Sequence, residues 1–269
     1  MEAQCPLSKA VMERLAGLPA PRHCHPMTQP QSQTAAHTRR PTPLSSIKVW
    51  IFDLDNTLYP AASNLFNQID QRMTEFIGER FDLPWDEARR RQKQYFRDYG
   101  TTLRGLMTEH DVDPIAFMDY VHDIDVTPVN PSPELDTALE RLPGRKVIYT
   151  NGSCRHADNV LGRLGIARHF DVIYDIVAAG YVPKPDPRPY AHLIDLHGID
   201  PQGACMVEDI ARNLVPAAAL GMTTVWVRSE VDYARPDRGG VGTGDHIDHA
   251  VDDLTVWLSD LTSAANPPG

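Results

Sequence analysis

Reactive side chains collect directly behind apolar runs. Val49-Trp50-Ile51-Phe52 leads into Asp53-Leu54-Asp55-Asn56-Thr57, Lys146 to Tyr149 into Thr150-Asn151-Gly152, and Ala204 to Val207 into Glu208-Asp209. Lys184, one of five Lys in the chain, stands between Pro183 and Pro185, which favour extended backbone around it. Two carboxylates a residue apart can divide nucleophilic attack from proton transfer, and a second acid pair can share a hard cation with them. A lysine and a threonine hydroxyl can then carry the charge of an anion. The Asp-x-Asp-x-Thr pattern is weak alone, because acids after strands often cap turns. It gains weight from the other groups, each at its own strand end and in this order.

These apolar runs are short and continuous, as in strands buried on both faces of a parallel sheet. Thr223 to Val227 is a fourth run and Val172 to Ile176 a fifth. Helical stretches at Ala157 to Leu164, Arg188 to His197 and Ala211 to Leu220 alternate with them. The sequence therefore predicts an α/β fold, a Rossmann-like doubly wound parallel sheet, whose ligands sit at the carboxyl ends of the strands. The interval from Asp53 to Lys146 is too long for one crossover. Its apolar residues recur at helical spacing, Leu65, Phe66, Ile69, Met73, Phe76 and Ile77, then Ile115, Phe117, Met118 and Val121, which predicts an all-helical insertion of four helices.

The first 45 residues are rich in Pro, Gln, His, Thr and Ser without sustained periodicity and are expected to form a disordered tail. Within them His23-Cys24-His25 lacks the second ligand pair of a zinc site. The expected organisation is a tail over 1–45, a core over 46–59 and 133–262, and an inserted helical cap over 60–132. The run Gly239 to Gly244 neither follows a strand directly nor opens a helix, and is expected to be a flexible surface loop. A chain of 269 residues, 42% apolar, can bury the core of one large or two modest domains. Its 26 Lys and Arg against 36 Asp and Glu, a formal charge of -10, disfavour a nucleic-acid polymer as partner. No membrane span and no secretion signal are legible, and the four Cys show no Cys-x-x-Cys spacing, so a cytoplasmic protein is expected.

Taken together, FDLDNTLYP from Phe52 to Pro60, YTNG from Tyr149 to Gly152, Lys184-Pro185, and VEDIARN from Val207 to Asn213 resemble the four motifs of the haloacid dehalogenase superfamily, in its phosphatase branch. The family's helical cap inserts between the first and second motifs, matching the long helical interval. The resemblance implies a phosphomonoesterase in which Asp53 is the nucleophile and Asp55 the general acid and base. It also implies Mg2+ as cofactor, ligated by the Asp53 carboxylate, the Asp55 backbone carbonyl and Asp209, with Glu208 helping directly or through water. Thr150 and the backbone N–H of Asn151 would bind phosphoryl oxygens, and Lys184 would neutralise nucleophile and phosphoryl group. Asn213 departs from the family pattern, where many members carry a second Asp.

The same resemblance separates the possible reactions. Dehalogenation needs neither the acid Asp55 nor the Glu208-Asp209 metal side. A Schiff-base route needs a cap amine in an apolar pocket, and Lys93, the one Lys in the expected cap, lies among Arg89, Arg90, Arg91 and Arg97 on what reads as a solvated helix face. Tyr59-Pro60, Tyr99 to Leu106 (YGTTLRGL), Tyr120 to Asp123 (YVHD) and His156-Ala157 are similar to the pyrimidine 5'-nucleotidase subfamily. UMP or CMP is then the expected substrate, with Tyr99, Thr101, Thr102 and His122 as substrate contacts. The alternatives are a general phosphatase of phosphoglycolate or sugar phosphates, and a non-catalytic binding protein of the same fold. The structural reading of the cap residues also stands open: Tyr99 and Leu106 can pack the bundle, Gly100 and Gly105 can punctuate helices, and His122 can be a plain core or surface residue.

Overall fold

The structure is a computed structural model that describes residues 42–228 and 244–265. The expectations for residues 1–41 and for Gly239 to Thr243 lie outside the described residues. Val49–Phe52 forms β1 and is buried throughout, as its unbroken apolar character requires. It is joined by β2 (Arg145–Tyr149), β3 (Val172–Tyr174), β4 (Ala204–Glu208), β5 (Thr223–Val227) and β6 (His249–Val251). The strands form one sheet in the order β3-β2-β1-β4-β5-β6, with every neighbouring pair parallel. The order reverses at β1, which opens a crevice at the carboxyl ends of β1 and β4. Phe52 pairs with Ile148 and with Val207, so Asp53, Tyr149 and Glu208 come level at that edge.

Between β1 and β2 lie α1 (Leu65–Phe81), α2 (Trp85–Tyr99), α3 (Thr102–His110) and α4 (Pro114–Val121). They bury a core of their own, in which Ile69, Ile77, Tyr95, Leu106, Phe117 and Val121 meet Ile176 from beyond β3. Two apolar residues of the expected helical pattern behave differently. Leu65 packs into the cluster under the sheet, and Ile115, in the first turn of α4 next to its Asp113 cap and Pro114, is 60% exposed. Gly100, at φ 84°, ends α2 in the left-handed conformation, and the Thr101 side chain caps α3. Gly105 is not punctuation: it lies inside α3, where a Cβ would stand 2.6 Å from the Tyr95 ring of α2.

The remaining helices are α5 (Pro133–Arg141), α6 (Cys154–Leu164), α7 (Pro187–His197), α8 (Leu214–Leu220) and α9 (Leu254–Ala265). Alternate strand residues feed opposite layers. Trp50, Phe52 and Val207 pack against α5, α6 and α9, while Ile51, Val147 and Met206 pack against α7 and α8. The end of the expected tail also belongs here: Thr42 Oγ1 donates to the Gln202 carbonyl at 2.8 Å, and Leu44 packs on the sheet cluster. No helix among the described residues is long and apolar enough to cross a membrane.

Candidate active site

The parallel register delivers the acids, and burial makes them reactive. Asp53 follows β1 directly and continues its ladder, its N–H donating to the Val207 carbonyl at 2.9 Å. Its side chain is nearly buried. Lys184 Nζ donates to Asp53 Oδ1 at 2.6 Å and Thr57 Oγ1 donates to Oδ2 at 3.1 Å. The same ammonium donates to Glu208 Oε1 at 2.8 Å and to the Tyr149 carbonyl at 3.0 Å. Lys184 is placed from its backbone too, its N–H donating to Asn151 Oδ1 at 2.9 Å.

Glu208 is the last residue of β4 and is fully enclosed. Besides Lys184 it accepts from Asn213 Nδ2 and from the Ile210 N–H, each at 2.6 Å. The departure from the family pattern at Asn213 thus has a local reason: an amide can donate to Glu208, whereas a second carboxylate there would repel it. Asp209 is buried beside it, and its Oδ2 has no hydrogen-bond partner among the described residues. Oxygen atoms of Asp53, Glu208 and Asp209 all lie within 4.8 Å of one another.

Three buried carboxylates therefore face one buried ammonium. Burial pushes the Asp53 carboxyl up to about 7 against the pull of Lys184, with Glu208 adding to the rise. Burial, with Glu208 and Asp53 close by, pushes Asp209 well above the usual carboxylate range. Lys184 is held protonated despite its burial by Asp53 and Glu208. An excess of buried negative charge, an orphaned carboxylate oxygen and an all-oxygen donor set together fit a hard divalent cation such as Mg2+.

The second acid of the first motif stands apart from this cluster. Asp55 Oδ1 receives the Tyr59 hydroxyl at 2.5 Å and lies 2.8 Å from His156 Nε2. Burial would raise its pKa, but His156 and these hydrogen bonds outweigh that and hold it down to about 2. Thr150 follows β2 and is buried, its Oγ1 accepting from the Gly152 N–H at 2.9 Å. Gly152 keeps this space open: a Cβ there would stand 3.2 Å from Thr150 Oγ1, 3.3 Å from His156 and 3.7 Å from Asp55 Oδ2.

The four residues singled out around the cap lie in different places. Thr101 Oγ1 accepts from the Arg104 N–H at 3.2 Å as the α3 cap, and Thr102 is buried in α3. Tyr99, the last residue of α2, donates to Glu109 at 2.7 Å. It lines a groove of about 360 Å3 with Gly100 and Arg104 on one side and Pro183, Lys184 and Arg188 on the other. His122, just past α4, is stacked on His156 with ring centroids 4.5 Å apart, and burial together with His156 holds it down to about 3, so it is uncharged. Lys93 pairs with Asp70 at 2.5 Å on the outside of the helices, as a solvated face implies. A larger concavity of about 670 Å3 opens at the opposite, amino end of β1 and β2 around Lys48, Arg145 and Arg168. Charges there pair locally, as in Arg145 with Asp171 and Arg168 with Asp136.

Tyr59, Ser153 and His156 form the part of this site whose roles residue types alone did not disclose. The available signal was the spacing Ser153-x-x-His156 just after the second motif. Ser153 caps α6, accepting from the His156 N–H at 3.3 Å, and this fixes the first turn so that the imidazole reaches the sheet edge.

The chain belongs to the haloacid dehalogenase-like hydrolases, whose family model matches residues 47–221. It is 28% identical over 199 residues to phosphate metabolism protein 8 of Saccharomyces cerevisiae, covering 68% of this chain and 62% of that one. It is 30% identical over 138 residues to a phosphoglycolate phosphatase of Neisseria gonorrhoeae, covering 46% of this chain and 57% of the relative. The chain thus spans about six-tenths of the length of these curated relatives. A phosphatase of the family from Thermococcus onnurineus has the same fold, with a TM-score of 0.56 at 20% identity, over 82% of this chain and 98% of that one.

Proposed function

We propose that this protein is a Mg2+-dependent phosphomonoesterase that works through an aspartyl phosphate on Asp53, and that its substrates are pyrimidine nucleoside monophosphates. The observation that carries the reaction is the pairing at the end of β1: Asp53 locked against Lys184 and Thr57, and Asp55 two residues on with a separate set of partners. The cation would be held by the carboxylates of Asp53 and Asp209 and the Asp55 backbone carbonyl, with Glu208 alongside. When bound, it supplies positive charge that keeps the buried acids ionised and screens the substrate's phosphoryl oxygens.

An Asp53 carboxylate oxygen attacks phosphorus, forming a P–O bond as the bond to the substrate's alkoxide breaks. Lys184 holds the nucleophile in place and offsets phosphoryl charge, and Thr150 and the Asn151 N–H bind phosphoryl oxygens. Asp55 gives its proton to the departing alkoxide, then takes one from the water that hydrolyses the acyl phosphate. Its carboxylate is ionised before substrate arrives; a phosphoryl group beside it raises its proton affinity by like-charge repulsion, so it takes up a proton from the substrate monoanion or from solvent and then donates that proton to the leaving oxygen.

The nucleotide preference is supported by the cap segments around Tyr99 and His122 and by a groove of about 360 Å3 that shares Lys184 with the carboxylates, a size suited to a small ligand. A second reading, a phosphatase of phosphoglycolate or sugar phosphates, is favoured by the phosphoglycolate phosphatase among the relatives. Phosphate release with Mg2+, measured over UMP, CMP, AMP, GMP, phosphoglycolate and sugar phosphates, separates the two. UMP and CMP should lead. Faster turnover of phosphoglycolate would discard the nucleotidase assignment and keep the phosphatase, and no release from any would discard both.

A further inference from the structure

Asp55 has a support of its own, assembled from three elements. His156 reaches it from the first turn of α6, Tyr59 from the loop after β1, and both partners meet the same oxygen, Oδ1. The other nitrogen of His156, Nδ1, is buried with no hydrogen-bond partner among the described residues. Nε2 faces a carboxylate oxygen, which has no proton to give, so Nε2 carries a proton and donates it to Asp55. Oδ2 receives no hydrogen bond among the described residues and lies on the open side beside Gly152.

The third element arrives from the inserted helices. His122 lies nearly parallel to His156, 11° between planes at 4.5 Å, and its Nδ1 is 2.9 Å from Ser153 Oγ, the same oxygen that receives the His156 N–H. One residue following α4 therefore covers the face of His156 and is tied to the cap of the helix that carries it.

We infer that His156 is a positioning residue that orients Asp55 for proton transfer, and that His122 makes this orientation depend on the seating of the inserted helices over the sheet edge. This rests on the phosphatase assignment. With Oδ1 held by two donors, the transferable proton sits on Oδ2; it passes to the leaving oxygen as the P–O bond to that oxygen breaks and the P–O bond to Asp53 forms. His122, expected as a substrate contact, then acts through His156 instead.

Leaving-group dependence tests this, because a support for proton transfer matters only where protonation is needed. Turnover is measured with p-nitrophenyl phosphate, whose leaving group needs little protonation, and with whichever of UMP, CMP and phosphoglycolate the wild type hydrolyses fastest. His156→Leu should lower kcat for the alkyl ester by ~10²-fold, the lower range for general acid catalysis, with p-nitrophenyl phosphate falling by less than ~5-fold. His156→Gln, which can place an amide N–H near the position of Nε2, should recover most of the loss. Tyr59→Phe removes the other donor with almost no change in shape and should show the same selective loss, so the test stands even if His156→Leu does not fold. His122→Ala should show the selective loss at ~10-fold, and combined with His156→Leu it should add little, because both act through one carboxyl. Equal losses on both substrates, or a His122→Ala effect confined to KM and dependent on the nucleobase, would overturn the inference while the phosphatase assignment stands. A wild type inert towards every phosphomonoester would remove that assignment and the inference with it.

Discussion

The sheet edge and the inserted helices solve opposite problems. At the edge, Asp53, Glu208, Asp209 and Lys184 are all at least nine-tenths buried; the register of β1 and β4 places the three acids, and short hydrogen bonds to Asp53, Glu208 and the Tyr149 carbonyl hold Lys184. The inserted helices hold together by apolar packing around Phe117 and Leu106, with their charges kept outside in pairs such as Lys93 with Asp70. A buried charge has few tolerable environments, so its location is demanding and its loss is expensive. An apolar helix contact tolerates many partners, so the same stretch of chain fixes a bundle without fixing what its polar residues touch.

Breaking the edge should therefore cost most. Asp53→Asn removes the nucleophile and should reduce turnover by at least four orders of magnitude, ~5 kcal/mol, with no phosphate trapped on the protein. Asp55→Asn keeps that nucleophile and should lose ~10²- to 10⁴-fold on alkyl esters. It should also accumulate labelled phosphate from p-nitrophenyl phosphate, because breakdown of the intermediate slows as well. Mass spectrometry of quenched mixtures decides both: phosphate on a residue other than Asp53, or near-normal turnover by Asp53→Asn with Mg2+, breaks the assignment of roles at the edge.

The same contrast explains what could be read from the sequence. β1, β2, β4 and β5 were legible because unbroken apolar runs have few uses other than buried strands. β6 was not, since only Val251 of its three residues is buried and nothing marks His249 or Ala250 as strand. The acids were legible because each follows such a run directly. The partnership of His156 with Asp55, 101 positions apart, is long-range and depends on how α6 starts, which periodicity does not report. Thr101 shows the converse: its place in a family-like segment suggested a ligand contact, and the structure adds a local role, its hydroxyl oxygen accepting from the Arg104 N–H, that such a resemblance does not report.

Within the helices the largest effect should come from close packing. Gly105→Ala brings a methyl to 2.6 Å from Tyr95 Cβ, Cγ and Cδ1, atoms at the root of a side chain that cannot swing away. Overpacking of this kind costs ~1–3 kcal/mol, partly offset by the ~1 kcal/mol that Ala gains over Gly in a helix interior. The net should lower Tm by a few degrees, read by thermal unfolding, while phosphate release persists below the transition. A higher Tm would mean that α2 and α3 sit further apart than this contact requires, and would weaken the contrast between a closely fitted bundle and a charge-fixed edge.

The smallest effect sharpens the comparison at the point where the two regions meet. Tyr99 lines the groove next to Lys184, and its hydroxyl proton is committed to Glu109 at 2.7 Å. The oxygen therefore faces a ligand as an acceptor, matched to a donor such as a ribose hydroxyl and not to a phosphoryl oxygen. Tyr99→Phe removes an exposed hydrogen bond, so stability should stay within ~0.5 kcal/mol of wild type. If the acceptor is used, KM for UMP should rise by ~2- to 12-fold, the worth of one neutral hydrogen bond, with kcat unchanged. p-Nitrophenyl phosphate has no such donor, and its KM should not move. A KM that rises equally for both substrates would assign Tyr99 to the shape of the groove, and a KM that moves for neither would leave it a packing residue of α2, with nucleoside recognition located elsewhere in the cap.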